Sequence, residues 1–114
     1  MVLTQAEGYL ELGLVDEAWG ALDDLPSESQ VHFPVLAMRV RILIAAKSWL
    51  KAEILAESLT QSMPANGPAW YALAQAMAQQ GKIEPAKDAL KRACTEDESL
   101  REAALRDELL AVVW

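Results

Sequence analysis

Cysteine is almost missing from this sequence: Cys94 stands alone, so no intrachain disulfide can form and a reducing, cytoplasmic setting is expected. Histidine is equally scarce, with His32 the single example. One Cys and one His cannot make a zinc-type ligand set, and no metal or other cofactor is expected. No Gly-rich phosphate-binding loop occurs. No Lys or Arg precedes Arg39, so the start is not expected to be a signal or transit peptide. No uncharged apolar run approaches the ~20 residues of a membrane-spanning helix. Basic clusters are lacking too, and a net charge of −7 argues against nucleic acid as a partner, because phosphate binding needs grouped cations that release counterions. Nothing resembles a catalytic constellation, so an enzyme is not expected.

What the chain does have is apolar and acidic. Of 114 residues, 53% are hydrophobic, enough for a real core in a domain of this size. Five Gly and five Pro in an Ala- and Leu-rich chain lean towards helix. The acid is concentrated at one end: residues 1–34 hold Glu7, Glu11, Asp16, Glu17, Asp23, Asp24 and Glu28 and no basic residue.

The sequence also repeats itself. "GLVDEAWGAL", Gly13 to Leu22, returns as "GKIEPAKDAL", Gly81 to Leu90, 68 residues on, which is twice 34. Ala18, Ala52 and Ala86 stand in that register, as do Pro34 and Pro68, and Gly13, Lys47 and Gly81. A fixed period of this length with small residues in register marks an array of helical hairpins. Small residues early in each second helix let paired helices approach closely. The periodicity predicts seven helices, at roughly 3–12, 15–25, 34–46, 49–62, 67–80, 84–94 and 98–112. Pro26 ends the second early and opens the one long connector, "PSESQVHFP". Thr4 with Glu7, and Ser99 with Glu102, have capping-box spacing.

"AWYALAQAMAQQGKIEPAKDALKRACTED" resembles a tetratricopeptide repeat, with Trp70, Leu73, Ala74, Gly81, Ala86, Leu90 and Ala93 at the signature places of that family. The middle unit matches more loosely through Leu36, Leu43, Ala52, Leu59 and Pro64, and the first through Tyr9, Gly13, Ala18, Leu22 and Leu25. Lys47 replaces the turn Gly, and Glu98 stands where a closing Pro is usual. The resemblance implies an all-α fold: a right-handed superhelical array of three helix-turn-helix repeats plus a capping helix. The repeats would span about 1–33, 34–67 and 68–98 of a single domain, with the cap at about 98–112.

The resemblance further implies a concave face built from the first helix of each repeat. Leu3, Glu7, Leu10 and Glu11, then Arg41, Ile44 and Ala45, then Tyr71, Gln75, Ala78 and Gln79 would line it. Co-chaperone members of the family hold a carboxylate tail there with clustered Lys, Arg and Asn. The matching places here carry Leu3, Glu7, Ala37, Arg41, Tyr71 and Gln75, which do not make such a clamp. A partly apolar peptide or amphipathic helix fits better, anchored near Tyr71 and Ile44. The bland alternative is that these are ordinary exposed helix positions.

Other conspicuous residues take structural readings. His32 lies in a connector, Cys94 near a helix end, and Trp19, Trp49 and Trp70 at positions facing neighbouring helices. "LLAVVW" is harder to place, because six apolar residues in a row cannot all face one side of a helix. Leu109, Leu110, Val113 and Trp114 either fold back on the array or form a surface for a weak homodimer. The expected function is therefore a non-catalytic protein-interaction module or scaffold for a protein or peptide partner. The alternatives are a small acidic chaperone resembling the tetratricopeptide chaperones of bacterial secretion systems, or a structural subunit that assembles through its apolar C-terminus.

Overall fold

The structure, a computed structural model, describes residues 2–114. All of its regular elements are helical: α1 (Val2–Glu11), α2 (Val15–Asp23), a single 3-10 turn (Ser27–Ser29), α3 (Phe33–Ala45), α4 (Trp49–Ser62), α5 (Gly67–Gln79), α6 (Ile83–Glu96), α7 (Ser99–Arg106) and a terminal 3-10 helix (Glu108–Val113). The chain divides into two compact units, residues 1–48 and residues 49–114, and the division falls inside the second expected repeat.

The 34-residue register reappears in the backbone. Gly13, Lys47 and Gly81 are the three described residues with φ in the left-handed region, at 77°, 60° and 78°. Each ends a helix with the same pair of hydrogen bonds. The amide of the left-handed residue reaches back to Leu10, Ile44 or Ala78, and the amide after it reaches the carbonyl of Tyr9, Leu43 or Met77 at 2.9, 2.9 and 3.0 Å. This is the six-to-one closure that satisfies the last orphan carbonyls of a helix. Glycine takes that conformation without a Cβ clash, whereas Lys47 carries the strain.

In the first unit, α1, α2 and α3 close around Ala6, Ala18, Leu22, Val35, Met38 and Ile42, all buried. The long connector is not loose. Gln30 donates to the carbonyls of Leu22 (2.6 Å) and Leu25 (3.2 Å), tying the connector to the end of α2. Arg39 donates to Gln30 (2.6 Å) and Asp23 (3.0 Å) and lies 4.3 Å from the Trp19 ring centre, so one guanidinium joins the connector, α2 and α3.

In the second unit, α5 packs between α4 and α6 along a seam of alanines; Ala74, Ala76, Ala86 and Ala93 have no exposed surface. Seams of small side chains allow close helix approach. Gly67 takes this to the limit. A Cβ there would lie 2.9 Å from Asp97 Cβ and 3.1 Å from the Ala93 carbonyl oxygen. Asn66 caps α5 by accepting from the Ala69 amide at 3.0 Å, and Pro68 occupies the first turn, where its missing N–H costs nothing. Glu53 is buried in α4 and is met by Lys82 (2.8 and 3.1 Å) and Gln80 (2.6 Å), the two residues that flank Gly81.

Three expectations need correction. The last helix does not run from 98 to 112: it stops at Arg106, and a 3-10 helix follows. Asp107 makes the break, because its Oδ1 accepts from the Leu109 amide at 2.9 Å and so restarts the chain in a new direction. Neither capping box caps as expected. Thr4 lies inside α1, and Ser99 donates through its amide and hydroxyl to Asp97, while Glu102 pairs with Arg106 at 2.8 Å.

Candidate functional site

The sequence of α5 places Tyr71, Gln75, Ala78 and Gln79 at spacings of four, three and one, which is one helix face. The structure keeps them together and puts the end of the chain across them. Tyr71 Oη and Gln75 Nε2 both donate to Asp107 Oδ2, each at 2.7 Å. One turn further on, Gln79 Nε2 donates to the carbonyl of Leu109 at 2.8 Å. With Oδ1 held by the Leu109 amide, the Asp107 carboxylate accepts from three donors. Burial, then the hydrogen bond and charge of Asp107, with Cys94 adding a little, push the Tyr71 phenol well above its ordinary range.

The apolar part of the contact follows the polar part. Leu110 is fully buried, Val113 and Ala78 nearly so, and Leu109 is half-buried. In a 3-10 helix, residues three apart share a face. Leu110 and Val113 therefore turn inwards together, while Val112 and Trp114 remain exposed. Leu110 and Val113 are thus covered within the chain. Trp114 instead keeps most of its surface in solvent and donates from Nε1 to the Ala104 carbonyl at 3.3 Å.

The corresponding residues of the first unit form no comparable site. Leu3 and Leu10 pack against the core cluster of that unit. Glu7 and Arg41 face each other at 4.0 Å, both about half exposed, a pair worth little in water. Ile44 is half-buried and Ala45 exposed. Trp19, Trp49 and Trp70 are all partly buried. Trp70 donates to the Pro64 carbonyl at 2.8 Å and lies under Arg92 at 5.1 Å. Among the described residues no group of His, Cys, Asp or Glu is placed to hold a metal, and no helix is long and apolar enough to cross a membrane.

Tyr71, expected as a free anchor, is therefore already engaged within the chain. Asp107, its partner, was not singled out from the sequence. The available signal was the tripeptide Asp107-Glu108-Leu109, an N-cap residue followed by an acid, in what otherwise reads as unbroken helix. No family model, characterised protein or solved structure matches this chain.

Proposed function

We propose that the chain is a non-catalytic protein-interaction module of tetratricopeptide-like hairpins, and that the face of α5 is a peptide site. One observation carries this reading: residues 107–113 lie on α5 as a bound peptide would. They offer a carboxylate to Tyr71 and Gln75 and a main-chain carbonyl to Gln79, while the apolar side chains at 110 and 113 are buried where the terminal helix meets α5 and α6. A partner segment of the same grammar, an acid followed by apolar residues three and six positions later, would suit the same donors. Aromatic and amide donors over an apolar floor are the usual anchors of such contacts. A reducing cytoplasm suits a module with one unpaired thiol, Cys94.

The chain's own tail competes for this face. A tethered segment has an effective concentration of the order of millimolar, so a free peptide has to overcome that advantage. The test is fluorescence anisotropy with a labelled peptide of the sequence Arg106 to Trp114. It is titrated with the full chain and with an Asp107→Ala, Leu110→Ala variant whose tail is loosened. The variant should bind the peptide at least tenfold more tightly than the full chain does, and adding Tyr71→Phe with Gln75→Ala should abolish that gain. A variant that stays folded by circular dichroism yet binds no peptide refutes the site.

A further inference from the structure

A second feature of the same unit lies outside the α5 contact. α6, α7 and the terminal helix enclose an open groove of about 830 Å³, within the ~300–1,000 Å³ range of pockets that bury a ligand. Leu90, Cys94, Leu105 and Trp114 give it an apolar lining, and Leu105 and Trp114 are each more than 60% exposed. Its charged margin runs against the rest of the molecule. On a chain of net charge −7, the groove carries Lys87, Lys91 and Arg101 against one acid, Glu98. Lys87 is drawn to Glu84 at 3.3 Å, whereas Lys91 and Arg101 have no ion-pair partner among the described residues. An occupant must therefore bring apolar side chains flanked by carboxylates.

The turn between α1 and α2 has that chemistry. Leu12 is 75% exposed and Leu14 40% exposed, on a sharp turn that Gly13 sets with its left-handed backbone and two hydrogen bonds. Glu11, Asp16 and Glu17 surround them, all exposed and none in an ion pair among the described residues. Two projecting leucines within three free carboxylates complement an apolar groove with two free cations.

We infer that the groove receives the α1–α2 turn of a second copy, so that the chain associates head to tail. The contact is heterologous, since turn and groove are different surfaces. Each contact leaves one turn and one groove unused, and growth continues until a ring closes. Opposite charge steers the encounter and fixes the orientation, while the leucines supply the apolar burial. This inference does not rest on the peptide site of α5.

Sedimentation velocity over a range of protein concentration, with two charge-reversed full-length variants, tests it. One variant carries Lys91→Glu with Arg101→Glu, the other Asp16→Lys with Glu17→Lys. All four positions are exposed, and circular dichroism with urea midpoints checks that both variants fold. The wild type should self-associate and do so less as salt rises. Each variant alone should associate at least tenfold more weakly, because like charges then meet at the contact. An equimolar mixture should recover association, because each turn again meets a groove of opposite charge. A wild type that stays monomeric at millimolar concentration overturns the inference. So does association that survives both reversals, which would point to a symmetric contact through Trp114, and so does a mixture that fails to recover.

Discussion

Lys47→Gly should make this protein more stable, although the substitution removes a side chain and places glycine at a helix end. Lys47 has φ of 60°, the conformation that Gly13 and Gly81 occupy 34 residues to either side. For an L-residue that geometry costs about 1–2 kcal/mol through the Cβ-to-carbonyl clash. Glycine removes the clash but brings back about 0.5–1 kcal/mol of unfolded-state entropy. The Lys47 side chain is exposed and has no ion pair to lose among the described residues, so the net gain is about 0.5–1 kcal/mol. For a chain of this size that corresponds to roughly 2–6 °C in Tm. The assay is thermal and urea unfolding followed by circular dichroism, with Gly81→Ala as the reciprocal control. No atom outside its immediate neighbours lies within 4 Å of a Cβ built at Gly81, so that control meets no steric clash, and backbone strain less the same entropy term should leave a cost of about 0.5–1 kcal/mol. If Lys47→Gly proves neutral or destabilising while Gly81→Ala is harmless, the left-handed ends are not strained and the argument fails.

Three more outcomes follow from the packing. Gly67→Ala should cost about 1–3 kcal/mol in urea unfolding, because the new methyl meets Asp97 Cβ at 2.9 Å and a backbone oxygen at 3.1 Å, neither able to swing away. Glu53→Ala should cost about 1–3 kcal/mol rather than the ~3–5 of a fully buried broken pair, since Lys82 is 44% exposed and can turn to water. A Glu53→Ala, Lys82→Ala cycle should show coupling of at least 0.5 kcal/mol. Stability should fall above pH ~10. Tyr71 titrates later in the folded state than in the unfolded chain, so its contribution is complete below the unfolded value of 10.0 and is lost as pH rises past it. The slope is at most about 1.4 kcal/mol per pH unit. Tyr71→Phe should flatten the alkaline limb, and an unchanged limb would exclude Tyr71 as its source.

The helical skeleton was legible in the sequence because its signals are local. The starts and stops of α4 and α5 fall where Trp49, the Asn66–Pro68 cap and the Gly81 turn place them. The alanine register anticipated that Ala18, Ala52 and Ala86 would have no exposed surface. The break at Asp107 was not legible in the same way. "LREAALRDELLAVVW" contains neither Gly nor Pro, and its local preferences favour continuing the helix. What decides against it is distant in sequence: Tyr71 and Gln75, more than thirty residues earlier, hold Asp107 Oδ2. The donors on α5 could be listed from the sequence, but the identity of their acceptor could not. The cationic groove was hidden for a similar reason. Lys87, Lys91 and Arg101 are ordinary surface residues along the chain, and become a group only where α6 and α7 meet.

The order in which the chain emerges from a ribosome gives the α5 contact a temporal side. By the time Glu96 is added, α4, α5 and α6 are all in hand, yet Asp107 and Leu110 are still to come. At ~5–20 residues per second, synthesis leaves the Tyr71 face of α5 uncovered for about a second or longer. During that interval Tyr71, Gln75 and Gln79 lack the acceptors that Asp107 and Leu109 later supply. A nascent chain paused before Asp107 would show its partners, or a chaperone, a surface that the finished molecule keeps shut.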